Sequence, residues 1–387
     1  MDPFDNPYRP GAGTTPPALL GRDELIAQFT MAARRARSGR PGKSIMAVGL
    51  RGVGKTVLLN RFAEIATTEG FDVAFVEATD SGDFATVLAV RLRKILLDLD
   101  RGAASRAVVR ALRVLKSFTL QLPDGSTIQL DPEPLLGEAD SGRLTDDLTD
   151  LMIAAGEAAG DRGRGLFVAV DEVQYLSEVE LSALIVAVHR TTQLNLPVVV
   201  AGAGLPQLPG LAGEARSYSE RLFAFPEVGS LEDGHARAAI VIPATAAGVD
   251  FQPPAVDRIV RSSHGYPYFL QEWGFHVWNH AVSSPIPPTD VDAVQPLVTA
   301  ALDRDFFRVR LDRLTPKERE YLRAMADLGP GPHRSGDIAA ALGVRVESVG
   351  PRRGALIRKG MIYSPAHGDT AFTVPLFDEF LRRVMPA

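Results

Sequence analysis

VGLRGVGKTVLL, residues 48–59, places three glycines, a lysine and a threonine between two apolar runs. From Gly49 to Thr56 the spacing is G-x-x-x-x-G-K-T. Before it, SIMAV (44–48) reads as a short buried strand; after it, TVLLNRFAEIATTEG reads as a helix ended by Gly70. Strand, glycine loop and helix in that order form a phosphate cradle. Gly52 and Gly54 open backbone dihedrals closed to other residues. The N–H groups from Arg51 to Lys55 then turn inward, and the helix N-terminus favours an anion. Lys55 would reach the β- and γ-phosphates and the Thr56 hydroxyl would join Mg²⁺. The expected nucleotide set is Gly49, Arg51, Gly52, Val53, Gly54, Lys55, Thr56 and Val57.

Working outward, DVAFVEAT (72–79), GLFVAVDE (165–172) and LPVVVAG (196–202) are further apolar runs of strand length. A shorter one is expected at about 222–226. Helical stretches separate them, at 83–100, 102–117 and 178–193 among others. Strands apolar throughout and alternating with helices imply a parallel sheet covered on both faces. GLFVAVDE ends in Asp171-Glu172. Asp171 at that strand end suits a metal-orienting carboxylate, and Glu172 suits the base that polarises an attacking water. The adjacent glutamate points to a hydrolysing ATPase. No N-K-x-D guanine-reading tetrad follows, so ATP with Mg²⁺ is the expected ligand pair.

One insertion breaks the alternation. SFTLQLPDGSTIQLDPEP, about 117–134, alternates apolar and polar residues around Asp124-Gly125 and predicts a β-hairpin. After about residue 230 the pattern is helical as far as 312. The last stretch differs again: LTPKEREYLRAMADLG, with Thr315 and Glu318 at capping-box spacing, then RSGDIAAALG, then ESVGPRRGALIRKG, then MIYSP and TAFTV around His367-Gly368-Asp369. Three helices and a hairpin are the order of a winged helix-turn-helix. The expected divisions are an N-terminal arm (1–19), an ATPase domain (20–230), a helical lid (231–312) and a winged module (313–387).

Bulk properties narrow the function. The 387 residues carry a net charge of −5, so the chain as a whole is not a polyanion binder by charge. Residues 301–387 hold 15 Lys and Arg against 11 Asp and Glu, a mildly basic end on an acidic body. The absence of cysteine excludes thiolate metal sites and cysteine nucleophiles and fits a reducing cytoplasm. The seven histidines lack metal-ligand spacing. No apolar run reaches the length of a membrane span, so a soluble cytoplasmic protein without a membrane partner is expected.

PALLGRDEL, GLRGVGKT, VDEVQYL, the helical lid and the winged end together resemble the AAA+ ATPases of the origin-recognition initiator type and the related prokaryotic signal-transducing (STAND-type) ATPases. The resemblance implies an α/β P-loop NTPase, its parallel sheet sandwiched by helices, followed by a helical lid and a winged helix-turn-helix domain. It places Leu20, Gly21 and Arg22 near the adenine, with help from Tyr8, Arg9 and Pro10 of the arm. Two departures stand out. The strand VVVAG should end in a polar residue that senses the γ-phosphate, and here offers Ala201, Gly202, Ala203 and Gly204. The lid offers Gly265-Tyr266-Pro267 where initiators carry an arginine; in the signalling branch the proline, here Pro267, contacts nucleotide. Both departures imply slow turnover. Arg221 is the choice for a trans-acting arginine in a homo-oligomer, with Arg216 and Arg190 as rivals. Arg352, Arg353, Arg358 and Lys359 on the third helix of the winged module form the expected contact to double-stranded DNA. The alternative is a signalling ATPase whose winged module docks a partner protein. A second basic set, including Arg106, Arg110 and Arg113, reads as a solvated helix face.

Overall fold

A computed structural model describes residues 1–387 apart from 12, 102–104, 121–132, 367 and 387. The chain divides into two compact units, and the sheet lies wholly in one of them, formed by 23–48 and 58–227. Its elements are α1 (Asp23–Arg37), β1 (Ser44–Val48), α2 (Lys55–Thr68, which starts in the other unit), β2 (Phe71–Glu77), α3 (Phe84–Asp100), α4 (Arg106–Leu120), α5 (Leu144–Asp161), β3 (Gly165–Asp171), α6 (Glu178–Gln193), β4 (Val198–Gly204), α7 (Leu208–Ala215), α8 (Ser219–Leu222) and β5 (Phe223–Ala224). The five strands are parallel in the order β2-β3-β4-β1-β5. β1, β3 and β4 are buried along their whole length, as their uninterrupted apolar sequences require.

Alternate residues of β3 serve the two faces. Val168 and Val170 join Leu88 and Leu92 of α3, Leu115 of α4, Leu151 of α5 and Leu184 of α6 in one core. Phe167 points the other way, to Phe29 of α1, which stacks on Phe62 of α2 at 4.3 Å. Each such side chain, fully buried, contributes roughly 1.5–3 kcal/mol. Registry sets Val48 opposite Gly204 and Val170 opposite Gly202, so β1, β3 and β4 finish on one edge of the sheet. Ligands in open parallel sheets lie beyond that carboxyl edge.

The expected hairpin over 117–134 falls mostly on residues outside those described. Its first four residues are helical instead, because α4 runs on to Leu120. Buried Val108, Leu112, Leu115 and Phe118 recur at three- and four-residue spacing, and that helical face outweighs the short alternating pattern.

The other unit contains 1–22, 49–57 and 228–387. It holds α9 (Asp233–Ala246), α10 (Pro253–Ser263), α11 (Pro267–His280), α12 (Pro288–Ala301), a π-helical turn (Leu302–Arg308), α13 (Val309–Leu311), α14 (Pro316–Leu328), β6 (His333–Arg334), α15 (Ser335–Ala341), α16 (Gly350–Arg358), β7 (Ile362–Tyr363), β8 (Asp369–Phe372) and α17 (Phe377–Val384). β8 pairs antiparallel with both β6 and β7. Thr315 caps α14 and Glu318 returns the bond to the Thr315 N–H, a reciprocal capping box. The arm is not merely extended. Asp2 caps a 3₁₀ turn at Pro3–Asp5, and Tyr8 is buried, its hydroxyl donating to the Ile240 carbonyl and its ring edge-on to Trp278.

Candidate nucleotide site

The glycine loop continues directly from β1 and opens α2 at Lys55. Gly52 and Gly54 have φ of +85° and +90°, so both occupy the left-handed region that the sequence motif anticipates. Gly49 is needed for a different reason: a Cβ there would collide with the Val228 carbonyl. Lys55 is largely buried, and its ammonium donates to the carbonyls of Gly49 (3.0 Å) and Leu50 (2.8 Å). Val53 and Val57 are buried supports of the loop. Thr56 lies beside the arm, its methyl 3.5 Å from where a Cβ on Gly13 would stand.

Within this unit the loop is gripped from outside. The Tyr266 hydroxyl donates to the Arg51 carbonyl, and the Tyr268 N–H donates to the Gly52 carbonyl at 3.3 Å. The Arg51 N–H in turn donates to the Thr373 carbonyl just beyond β8 (3.2 Å), and its guanidinium lies against Gly360. Pro267, expected to touch nucleotide, is the first residue of α11, between those two tyrosines, and is half-buried. Phe306 completes the enclosure of Gly52. Arg310 stacks on Phe306, 4.1 Å from its centroid, and burial, with Arg51 nearby, pushes its pKa down to about 10. Sequence reasoning missed these grips; the aromatic cluster at 266–269 was their only trace.

Arg22 bonds from the end of the arm to the carbonyls of Gly229 (2.6 Å), Gly21 (3.2 Å) and Val53 (3.4 Å), and burial lowers its pKa. It braces the loop from behind. Leu20 is half-buried. Tyr8 is committed to packing among the helices of its own unit, so the arm's contribution through Tyr8 is structural.

In the sheet unit, Asp171 ends β3 and is buried. Its carboxylate accepts the Glu172 N–H at 2.9 Å. Glu172 has φ of +52°, a left-handed conformation rare for a side-chain-bearing residue and frequent at functional turns. A 3₁₀ turn, Val173–Tyr175, follows. Gln174 donates to the Glu172 carboxylate and accepts the Leu205 N–H at 3.0 Å. The motif search did not single out Gln174. Thr56, in one unit, carries a hydroxyl and Asp171, in the other, a carboxylate, each a hard oxygen donor of the kind Mg²⁺ takes. Among the described residues no group of three or more His, Cys, Asp or Glu gathers as a metal site.

Arg221, at the end of α8, is exposed. Its rivals have side-chain partners, Arg216 with Ser182 and Arg190 with Gln193. Of the basic side chains expected to face DNA, two are engaged within their own module. Arg353 binds Thr370 (2.9 Å), Ser364 (2.8 Å) and the Asp369 carbonyl (2.9 Å), fastening α16 to the hairpin. Lys359 pairs with the capping-box Glu318 at 2.7 Å. Arg352 and Arg358 lie on the same helix, the first half-buried and the second exposed. Arg110 of the second basic set pairs with Glu138 and Glu157, its side chain still partly open to solvent. No described helix is long and apolar enough to cross a membrane.

Residues 18–200 match the family model for the AAA ATPase domain, and residues 304–381 match a domain of unknown function, DUF8462. No curated protein matches the chain. Among solved structures, the Walker-type ATPase paby2304 of Pyrococcus abyssi is 16 % identical at a TM-score of 0.55, covering 97 % of this chain and 98 % of its own. Aeropyrum pernix Orc1, solved in complex with DNA, is 16 % identical at 0.47, covering 95 % and 94 %. Thermotoga maritima RuvB, a Holliday junction branch migration motor, is 15 % identical at 0.44, covering 91 % and 92 %. The Pyrococcus likeness is one of fold and covers nearly the whole chain. Over residues 18–200 the chain is similar to the AAA ATPase domain, and its parallel sheet has the α/β fold of P-loop NTPases.

Proposed function

We propose that the chain is an ATP-binding, slowly hydrolysing switch whose C-terminal module, residues 313–387, is a winged helix set by the state of the glycine loop. The observation that carries the switch is the grip on one peptide segment: Tyr266 on the Arg51 carbonyl, Tyr268 on the Gly52 carbonyl and Thr373 on the Arg51 N–H. A loop so held cannot reshape around phosphates without disturbing those partners. In this reading the loop amides and Lys55 take the phosphates, Lys55 exchanging its two carbonyl acceptors for phosphate oxygens. Thr56 and Asp171 hold Mg²⁺, which when bound neutralises phosphate charge. Glu172 orients the attacking water, and Arg221 serves a neighbouring copy. The end of β4 supports the reading of slow turnover, since Ala203-Gly204 carries no polar side chain of the kind that senses a γ-phosphate.

Lys55→Ala should abolish ATP binding, and Glu172→Gln should keep binding while phosphate release stops. Normal ATP affinity in Lys55→Ala would sink the site assignment.

The module's target is DNA or a protein. Internal use of Arg353 and Lys359 favours a protein partner, as in the signalling branch of the resemblance. The second reading, double-stranded DNA, rests on Arg352 and Arg358, which share α16. Salt-dependent DNA binding lost in the Arg352→Ala/Arg358→Ala double variant would decide for DNA. A nucleotide-dependent change of mass without DNA binding would decide for protein assembly.

A further inference from the structure

We infer that Gln174 is the positioning residue for Glu172 and that it ties this glutamate to the end of β4, where the polar sensor is missing. The inference rests on the reading of Glu172 as the group that orients water. Gln174 is fixed at both ends of its amide: its Oε1 accepts the Leu205 N–H at 3.0 Å, and its Nε2 donates to a Glu172 carboxylate oxygen. A backbone N–H can only donate and an ionised carboxylate can only accept, so the span needs one side chain with an acceptor and a donor side by side. Glutamine has both at this length; glutamate lacks the donor and methionine lacks both.

The glycines of β4 fit the same arrangement. A Cβ on Gly204 would stand 3.0 Å from Gln174 Oε1 and 2.9 Å from Leu208, and one on Gly202 would press into Val173 at 2.9 Å. The absence of side chains at 202 and 204 therefore makes room for the turn that carries Gln174. Glu172 itself is in the left-handed region, its N–H held by Asp171 and its carbonyl accepting the Tyr175 N–H at 2.9 Å. Its backbone is thus set by β3 and its carboxylate by Gln174. Movement at the end of β4 reaches the Glu172 carboxylate through Gln174.

Two variants separate positioning from support. Gln174→Glu keeps the shape and the acceptor for Leu205 but cannot donate to Glu172. Gln174→Met keeps only the shape. In both, kcat should fall about 10- to 100-fold, the usual cost of a misplaced reacting group, with KM and ATP affinity within about two-fold. The Leu205 amide should stay protected from hydrogen exchange in Gln174→Glu and exchange faster in Gln174→Met. In a Glu172→Gln background, Gln174→Met should cause no further loss of single-turnover rate. Wild-type kcat in Gln174→Glu, with Glu172→Gln inactive, would leave Gln174 a mere strut and overturn the inference. A loss of ATP affinity matching the loss of kcat would overturn it too. Turnover that survives Glu172→Gln is a separate result and refutes the reading of Glu172 instead.

Discussion

Gly52 and Gly54 share a backbone conformation and differ in their surroundings, and that contrast makes the enclosure of the loop measurable. Their φ values are +85° and +90°. Alanine at either position meets the same penalty for a side chain at positive φ, about 1–2 kcal/mol. Around Gly54 nothing lies within 4 Å of an added Cβ. Around Gly52 the Cβ would stand 3.0 Å from Tyr266 and 3.3 Å from Phe306. Neither ring can retreat: both are buried, Tyr266 packs on Phe269 at 4.8 Å, and Phe306 is stacked by Tyr268 at 4.6 Å. Forcing a methyl into such packing costs typically 1–3 kcal/mol.

Gly54→Ala should therefore cost about 1–2 kcal/mol and Gly52→Ala about 2–5 kcal/mol in all. The assay is urea unfolding of the full chain, followed by tryptophan fluorescence. Trp273 and Trp278 are both in α11, in the same unit as the loop, so the signal reports on that unit. Midpoints are compared rather than extrapolated free energies, since a chain of two units need not unfold in one step. Equal midpoints for the two variants would refute the packing of Tyr266 and Phe306 on the loop.

The capping-box Glu318 gives a pH-dependent expectation. Burial pushes its pKa up, but the bonds from Lys359 and Thr315 outweigh burial and leave it below its ordinary value. A carboxylate depressed on folding contributes stability that is present above its unfolded pKa and lost as pH falls through the folded one. Thermal midpoints followed from pH 7 into the acid range should show that loss in the wild type, and Glu318→Gln should lower the midpoint at neutral pH and flatten the acid limb. Arg353→Ala should cost roughly 1.5–3 kcal/mol by removing charge-assisted bonds, whereas Arg352→Ala should stay within about 0.5 kcal/mol, both read from thermal unfolding. Tyr8→Ala should cost about 3–5 kcal/mol, the range for truncating a large buried ring, in the same urea assay. A silent Tyr8 variant would show that the arm does not support the helices it packs on.

What could be read from the sequence was what rests on local pattern. The loop is a contiguous motif whose glycines answer to backbone dihedrals, and the strands announce themselves by unbroken apolar runs. The Thr315–Glu318 box was legible for the same reason. The grip on Arg51 was not, because Tyr266 and Thr373 lie far from it in sequence and bond its backbone, which carries no sequence signal. The bonds of Arg353 were equally hidden: clustered arginines suggest a polyanion and give no sign that one guanidinium bonds hydroxyls and a carbonyl of its own hairpin. Tyr8 was hidden by its setting, since proline and glycine around it imitate a free leader. Gln174 was missed because one glutamine in a turn looks like surface until Leu205 and Glu172 are seen on either side.

The aromatic side chains of the loop's own unit explain why a change at Gly52 need not stay there. Tyr266 meets Phe269, Phe269 meets Phe306 and Phe307, Phe307 stacks on Phe380 at 5.1 Å, and Phe380, Phe377 and Phe372 carry the contact to β8. β8 is followed by Thr373, which returns a carbonyl to the Arg51 N–H. The rings thus close a circuit that begins and ends on the glycine loop and passes through α11, the π-helical turn and α17. A packed series of rings does not yield by small amounts; it holds one arrangement or changes to another. The π turn at Leu302–Arg308 carries consecutive Phe306 and Phe307, one facing Gly52 and the other facing α17. The module beyond residue 313 is therefore joined to the phosphate loop by packing as well as by chain, and that is the physical basis for expecting it to respond to nucleotide.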